Sequence, residues 1–216
     1  MMDAFEIGNS DRVIVYARRG SIFTPRTWFL FRTMGHEKVQ LMQGSLEDWV
    51  DAGGPIDEDS TVVLSANDVD VTQPTTYKAR DPVNVVDMKY MLGIVEKGED
   101  AAIIVDPRGS SFAKKGHIPG AIHLPYSSLV DPDNQLKLKS PANLKKEFQK
   151  VGIEIHSDIP VVCSCGSGVS VCHIYLALEE LGRKGQTLIY DGSWNEWSKN
   201  PDAPKVFPPV DGYEKK

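Results

Sequence analysis

The sequence is poor in cysteine, in long apolar runs and in excess basic charge. Its 3 cysteines among 216 residues cannot build a disulfide framework, which favours a reducing compartment. No stretch approaches about eighteen uncharged apolar residues, so we expect no membrane-spanning helix and no membrane partner. The formal net charge of -6 argues against nucleic-acid binding, which needs clustered lysine and arginine. The first residues have neither the apolar core of a signal peptide nor the arginine bias of a transit peptide, so no targeting segment is visible.

What the sequence does contain is an internal repeat. Residues 13–20 align with residues 161–168, and the same spacing brings three further pairs into register. The pairs are Gly44 with Gly192, Ser45 with Ser193 and Trp49 with Trp197. Each copy has a strand-like run, a turn of small residues, an apolar helix-like run and a Gly-Ser-x-x-x-Trp segment. We predict a duplicated structural unit in which Trp197 is a packed residue of the core or of a cleft wall, and in which its counterpart Trp49 is packed as well.

The two copies are unequal in length. The second copy is preceded by the strand-like run 101–106 and by further turn and helix segments, which have no counterpart before residue 13. We expect a truncated first copy, held mainly by docking against the second, and one complete C-terminal domain. The expected divisions are a partial domain at 1–55, a linker at 56–83 in which Thr61–Leu64 can add a strand, a complete domain at 84–200 and an irregular, proline-containing tail at 201–216.

The complete domain alternates strand-like and helix-like runs. Strands are expected at Ile103–Val105, Val161–Cys163 and Thr187–Tyr190, with helices near 144–150 and over 169–181 between and after them. Alternation of this kind predicts an α/β fold, a parallel sheet flanked by helices. Ligands of such sheets bind beyond the carboxyl ends of the strands, which is where Cys165 falls.

Cys165 opens a loop of small residues, Cys-Gly-Ser-Gly-Val-Ser, between a strand and a helix. A glycine-rich turn before a helix gathers backbone N–H groups around one sulfur and favours its thiolate. Such surroundings lower a cysteine pKa from roughly 8.5 to about 3.5–7.5. The alternative is a buried structural cysteine, since free cysteine is among the most buried residue types. This loop alone leaves both interpretations open.

Four motifs occur in one order along the chain: 106–108 (Asp-x-Arg), 116–121 (Gly-His-Ile-Pro-Gly-Ala), 165–170, and 190–197 (Tyr-Asp-Gly-Ser-Trp-x-Glu-Trp). In this order and spacing they resemble the tandem rhodanese-type sulfurtransferases, and the loop resembles the 3-mercaptopyruvate form. Thiosulfate-preferring relatives carry basic residues just after the cysteine, where this chain has Gly166 and Ser167. The resemblance implies a rhodanese-like fold, a sulfurtransferase activity, no cofactor, and a cytoplasmic or mitochondrial location.

The resemblance also implies roles for the loop residues. The Cys165 thiolate would take a sulfur from 3-mercaptopyruvate or thiosulfate as a persulfide and pass it to a thiol or cyanide. The acceptor would be a small thiol or a thioredoxin-like protein. Ser167 would handle protons, and Gly166, Gly168, Val169 and Ser170 would line the substrate site. From the residues alone, Ser170 can equally serve as a helix N-cap. Ala17 takes the place of Cys165 in the first copy, so that copy is expected to be catalytically inert.

Two departures from the family pattern stand out. Mercaptopyruvate-type members hold the substrate carboxylate with arginines located after Arg108, where this chain has only Lys114 and Lys115. Lysine supplies charge without bidentate geometry, and Arg108 itself is expected to form a structural ion pair, so these three are the weaker substrate-binding candidates. The family also places an acid and a histidine from the N-terminal domain beside the nucleophile, and no residue here matches them. The sequence therefore predicts poor transfer from mercaptopyruvate.

Three alternative functions can be compared with these residues. A cysteine phosphatase needs an arginine six residues after the nucleophile, but position 171 is valine. A zinc site built from Cys163, Cys165, Cys172 and His173 would need all four to converge, yet the strand and helix positions of two of them point apart. We expect no metal, and we expect His117 and His123 to be hydrogen-bonded structural residues. A non-catalytic or sulfur-carrier protein, with activity lost through the truncation, is the serious alternative.

Overall fold

Five short apolar strands form the central sheet of the computed structural model, which describes residues 2, 5, 7–57, 76–98 and 101–207. They are β3 (Val85–Val86), β4 (Ile103–Asp106), β5 (Ile122–His123), β6 (Val161–Cys163) and β7 (Thr187–Tyr190). The spatial order is β3-β7-β6-β4-β5, and every neighbouring pair is parallel. The two remaining strands, β1 (Val13–Val15) and β2 (Val39–Leu41), pair in parallel as a separate sheet.

Successive side chains of each strand point to opposite faces of the large sheet, so the apolar core has two layers, one on each face. In β6, Val161 and Cys163 belong to one apolar cluster and Val162 to the other. β6 is therefore buried on both faces, as expected of a central parallel strand. All three of its residues are inaccessible to solvent. The residue that follows this rigid strand at the carboxyl edge is consequently held in a fixed position.

Seven helices surround these strands in the described part of the chain. They are α1 (Thr24–Thr33), α2 (Leu46–Asp51), α3 (Met88–Lys97), α4 (Ser111–Lys115), α5 (Pro141–Lys150), α6 (Val171–Glu180) and α7 (Ser193–Trp197), with a 3-10 turn at Tyr126–Ser128. One face of the large sheet is covered by residues of α5 and α6, and the other by residues of α3 and α7. The α/β fold with a parallel sheet flanked by helices is therefore confirmed. None of these helices is long and apolar enough to cross a bilayer, a finding that covers the described residues.

The first repeat unit packs on the second through α1. The Phe29 ring meets the Tyr175 ring of α6 edge-on at 4.9 Å, and Trp28 approaches the same ring at 6.2 Å. The core cluster beside α6 includes Trp28 and Phe29, so the two units share apolar packing. By contrast, Ile14 and Tyr16 in and after β1 are 56% and 57% exposed. The division of the chain at 55, 83 and 200 stays a prediction.

One expectation needs correction. Trp197 is fully buried as predicted, but Trp49 is 45% exposed; its ring lies over Gly54, and its indole N–H donates to the Pro55 carbonyl at 2.9 Å. Trp197 is buried because α3 and the large sheet enclose it, and the described part of the first unit has no such cover. The predicted strand at Thr61–Leu64 lies outside the described residues.

The final residues of the predicted linker are packed rather than free. His36 Nδ1 and the Tyr77 hydroxyl are 2.8 Å apart, and the two rings stack. Asn9 exchanges two hydrogen bonds with the Lys78 backbone, at 2.7 and 2.8 Å. The Arg80 N–H donates to the Met34 carbonyl at 3.0 Å. Residues 77–80 thus form part of the surface of the first unit.

Candidate active site

The cysteine loop begins where β6 ends. The Ser164 N–H donates to the Val105 carbonyl of β4 at 2.9 Å, which extends the strand pairing by one residue. Cys165 follows directly, and α6 begins at Val171. The loop therefore joins the carboxyl end of a central strand to a helix N-terminus, which is the geometry that the sequence predicted for a thiolate site.

Hydrogen-bond donors converge on the sulfur of Cys165. They are the backbone N–H groups of Ser167, Gly168 and Val171 and the hydroxyl of Ser170. Cys165 is only 2% exposed, and burial by itself raises a thiol pKa because it removes water from the thiolate. The four donors outweigh this desolvation, so the pKa of Cys165 lies below its ordinary value. The surroundings favour the nucleophilic form of the thiol.

The other two cysteines have the opposite character. Cys163 is enclosed in β6, and burial raises the pKa of its thiol far above the ordinary value. Burial also raises the pKa of Cys172 to about 12, although the nearby Arg26 partly opposes this. The Cys172 thiol donates to the Gly168 carbonyl at 3.6 Å. Of the three cysteines, Cys165 alone is stabilised as an anion.

The N-terminal part of α7 holds the loop from the opposite side. The Cys165 N–H donates to the Ser193 hydroxyl at 3.1 Å, and the N–H groups of Trp194 and Asn195 donate to the carbonyls of Cys165 and Gly166 at 3.0 Å each. Ser193 has a left-handed backbone with φ of 52°, which is strained for a residue other than glycine. In the sequence, Ser193 belongs to the repeat and to the 190–197 motif, and neither pattern indicated contact with Cys165.

Gly168 has a close neighbour that excludes any side chain. Its φ is 78°, and a Cβ there would overlap the carboxylate of Asp191 and lie 3.3 Å from Nη1 of Arg26. Arg26 belongs to α1 of the first unit, and its Nη1 donates to the Gly168 carbonyl at 3.2 Å and to Asp191 at 2.5 Å. Neither Arg26 nor Asp191 was recognised as a site residue from the sequence.

The remaining loop residues are more exposed than Cys165 and Gly168. Ser167 is exposed, Val169 and Ser170 are half-buried, and Gly166 is half-buried beside the Arg108 side chain. Ser170 occupies the N-cap position of α6, but its side chain makes no cap hydrogen bond, so the expected capping hydroxyl was wrong. Its hydroxyl points to Cys165 instead.

The three basic candidates lie in different surroundings. Arg108 is buried and paired with Asp106, with Nη2 2.7 Å from the carboxylate, and it also donates to the Gly116 carbonyl at 2.9 Å. Its guanidinium carbon is 5.2 Å from the centre of the Trp194 ring. Lys114 and Lys115 are exposed at the end of α4. Arg108 is therefore fixed next to the loop by its contacts with Asp106, Gly116 and Trp194. The two lysines face solvent.

Two histidines near Arg108, His117 and His123, are held in place by ring stacking and hydrogen bonding. The Phe112 ring lies between His117 and His123, with centroid distances of 4.0 and 4.4 Å. His117 Nδ1 is 3.3 Å from the Phe112 carbonyl, and His123 Nε2 is 2.6 Å from the Arg108 carbonyl. The expectation of hydrogen-bonded structural histidines is confirmed. Among the residues that the structure describes, no three His, Cys, Asp or Glu side chains come close enough to hold a metal ion.

The first unit repeats the loop geometry without its sulfur. The Leu46 N–H donates to the Ala17 carbonyl at 2.9 Å, as the Trp194 N–H does to Cys165. Gly20 has a φ of 86°, close to the 78° of Gly168. Alanine has no nucleophilic atom, so this loop cannot form a covalent intermediate. The duplication is thus visible in individual hydrogen bonds.

Comparison with known proteins gives consistent matches. The family model for the rhodanese-like domain matches residues 87–200. The chain is 32% identical over 226 residues to thiosulfate/3-mercaptopyruvate sulfurtransferase 1, mitochondrial, of Arabidopsis thaliana, covering 93% of this chain and 58% of that protein. It is 31% identical to the 3-mercaptopyruvate sulfurtransferase of Escherichia coli strain K12, covering 92% of this chain and 70% of the relative.

Solved structures agree with these matches. The crystal structure of SseA from Escherichia coli, described as a 3-mercaptopyruvate sulfotransferase, superposes with a TM-score of 0.69 at 30% identity. That match covers 87% of this chain and 68% of the other. This chain therefore spans between about three fifths and 70% of the length of these relatives. With the family model over more than half of its residues and the cysteine loop at the expected strand end, the chain belongs to the rhodanese family.

Proposed function

We propose that this chain is a sulfurtransferase that carries sulfur as a persulfide on Cys165. The observation behind the proposal is the set of four donors around the sulfur, which lowers the pKa of Cys165 although the residue is buried. A buried structural cysteine would have a raised pKa, as Cys163 does. A thiolate held by converging N–H groups can act as a nucleophile and can also stabilise an anionic product.

In the first step, the Cys165 thiolate forms an S–S bond with the transferable sulfur of the donor. From thiosulfate, the original S–S bond breaks and its electron pair leaves with sulfite. From 3-mercaptopyruvate, the C–S bond breaks and the electron pair stays on carbon, which becomes the methyl group of pyruvate after it takes a proton. Ser167, exposed at the outer side of the loop, is the proposed relay for that proton.

In the second step, a thiolate or cyanide attacks the outer sulfur of the persulfide. The S–S bond breaks, the electron pair returns to Cys165, and the acceptor leaves as a persulfide or as thiocyanate. Two half-reactions of this kind follow ping-pong kinetics. The acceptor that we propose is a small thiol or a thioredoxin-like protein, since the nearly covered sulfur of Cys165 admits only a narrow attacking group.

The loop favours 3-mercaptopyruvate over thiosulfate as the donor. Gly166 and Ser167 replace the basic residues that attract a doubly charged donor, and Arg108 is already paired with Asp106. Gly166, Gly168, Val169 and Ser170 are the proposed inner surface of the donor site. Lys114 and Lys115 are the remaining candidates for the donor carboxylate. The names of the relatives include both donors.

Three further inferences accompany this function. The proposed units are an inert partial domain at 1–55, a linker at 56–83, a catalytic domain at 84–200 and a tail at 201–216. The proposed compartment is a reducing one, the cytoplasm or the mitochondrion; the Arabidopsis relative carries the word mitochondrial in its name. We propose that no cofactor takes part, since the persulfide mechanism needs only the thiolate and its donors.

Mass spectrometry of the intact protein and its peptides tests the proposal. After treatment with 3-mercaptopyruvate or thiosulfate, we expect Cys165 to gain the mass of one sulfur atom. Cys165→Ser should abolish the gain, and the matched variants Cys163→Ser and Cys172→Ser should retain it. Sulfur found on either of the other cysteines, or on none, would reject the assignment. Persulfide formation without multiple turnovers of pyruvate or sulfite would instead support the sulfur-carrier alternative.

A further inference from the structure

Arg26 connects the two repeat units at the cysteine loop. It lies in the first turn of α1, and its guanidinium reaches across to the second unit. Nη1 donates to the Gly168 carbonyl at 3.2 Å and pairs with the Asp191 carboxylate at 2.5 Å. The Arg26 side chain is 21% exposed and that of Asp191 46%, so water reaches the carboxylate of this pair, whereas the bond to the Gly168 carbonyl is partly buried.

The two groups that Arg26 joins belong to two segments of the second unit that both contact Cys165. Gly168 belongs to the loop, and its own N–H is one of the donors to Cys165. Asp191 precedes the segment whose Ser193 hydroxyl receives the Cys165 N–H. One guanidinium therefore fixes the position of the loop relative to the segment that supports it.

We infer that Arg26 is a positioning residue, through which helix α1 of the inert unit holds the Gly168 peptide in the arrangement that Cys165 requires. This inference rests on the proposed function of Cys165 and gives the first unit a role in it. Without Arg26, the Gly168 carbonyl keeps only the weak thiol donor of Cys172, at 3.6 Å. The loop can then rotate its N–H groups away from the sulfur.

The titratable and charged groups around the loop come from every element packed against it. They are Cys163 of β6, Cys172 and His173 of α6, Asp191 before α7, Arg26 of α1 and Arg108 after β4. Burial lowers the pKa of His173 to about 4, so its imidazole is neutral near pH 7. Burial keeps Cys163 and Cys172 protonated at neutral pH, and the positive charge of Arg108 is balanced by its ion pair with Asp106. Near neutral pH, a change in the apparent pKa of Cys165 therefore reflects a change in the hydrogen-bond donors to its sulfur or in Arg26.

The chain offers a matched control on the same helix. Arg32 of α1 also crosses to the second unit, where it pairs with Glu179 of α6 at 3.3 Å. This pair has no contact with the loop. Arg26→Met and Arg32→Met each remove one ion pair between the units, so a purely structural role predicts the same result for both variants.

The experiment measures the alkylation rate of Cys165 by iodoacetamide across pH, with peptide mass spectrometry to identify the site. We expect Arg26→Met to raise the apparent pKa of Cys165 and to slow alkylation at neutral pH about tenfold, on the scale of one lost charge-assisted hydrogen bond. Arg32→Met should retain the wild-type profile. Thermal unfolding of both variants shows whether each is folded; if Arg26→Met is not, Arg26→Lys should give a smaller change in the same direction.

An unchanged Cys165 profile in the folded Arg26 variants would overturn the inference, and so would an equal change in Arg32→Met. Alkylation needs no sulfur donor, so the result does not depend on sulfur transfer. If the wild-type protein forms no persulfide, the proposed function fails while the positioning role of Arg26 is still measured.

Discussion

Two serines of the cysteine loop make different contacts with the sulfur. Ser170 directs its hydroxyl to Cys165, whereas Ser167 contributes its backbone N–H and leaves its side chain exposed. We therefore expect Ser170→Ala to raise the apparent pKa of Cys165, so that the thiolate fraction falls at neutral pH. A loss of about tenfold or more in alkylation rate at pH 7 is the scale of one hydrogen bond to a charged group. The pH profile of alkylation measures it.

Ser167→Ala provides the comparison for this prediction. It removes a hydroxyl but no donor to the sulfur, so the alkylation profile should match the wild type. If Ser167 relays a proton, the same variant should lower turnover with 3-mercaptopyruvate. Equal pKa changes in both serine variants would contradict the hydrogen-bond assignment.

At the scale of single residues, the sequence predicted the nucleophile but not its full surroundings. Cys165 was identifiable because the donors to its sulfur come from the next six residues, and local chain geometry brings them together. Arg26 was not identifiable, because it lies 142 residues away from Gly168 in sequence. Contacts of that kind depend on how two helices dock, and short-range patterns do not encode docking. The Ser193 contact was missed for the same reason.

Among the helices, α6 contains a buried titratable group that the proposed mechanism does not use. His173 is 1% exposed, and its ring lies 4.7 Å from the Tyr126 ring. Burial lowers the pKa of His173 from 6.5 to about 4. The unfolded chain therefore binds a proton at a higher pH than the folded chain, and stability falls as the pH decreases through this window.

We predict that the free energy of unfolding decreases between pH 6.5 and about 4, by up to about 3 kcal/mol from this residue. Denaturant unfolding at several pH values measures the decrease. The variant His173→Gln cannot titrate, so its pH dependence should be shallower over the same range. Parallel pH profiles for the variant and the wild type would show that other groups cause the acid sensitivity.

Element boundaries followed the sequence closely where the core determines them. β6 and β7 were predicted at their observed bounds, because a strand buried between two layers needs an unbroken apolar run. Helix α6 begins two residues later than the predicted 169, since the loop residues before it turn their N–H groups to the sulfur. Helix α4 was not predicted, because its five residues, two half-buried and three exposed, show no helical pattern of apolar positions.

At the scale of the whole molecule, the two repeat units differ in the cover that their strands receive. β1 and β2 form a two-stranded sheet, whereas β6 lies within five strands. An isolated strand pair is marginal in water, so the first unit depends on the packing of α1 against α6. We expect limited proteolysis to cut within residues 7–57 before it cuts within 101–207.

Timed digestion followed by mass spectrometry of the fragments measures this order. A broad-specificity protease at low concentration avoids a bias from the distribution of lysine and arginine. Equal resistance of the two regions would contradict the idea that the first unit depends on the second.

The duplication itself was predictable from the repeated glycines and tryptophans. The exposure of Trp49 was not predictable, because it depends on which neighbouring elements cover the ring.

The carbonyls of Cys165 and Gly166 are already bonded to backbone N–H groups of α7. Neither oxygen can turn toward the sulfur unless one of these bonds breaks. The electrostatic field at the reacting atom is therefore set when the chain folds, and little reorganisation is needed when charge moves from the thiolate to an added sulfur and back.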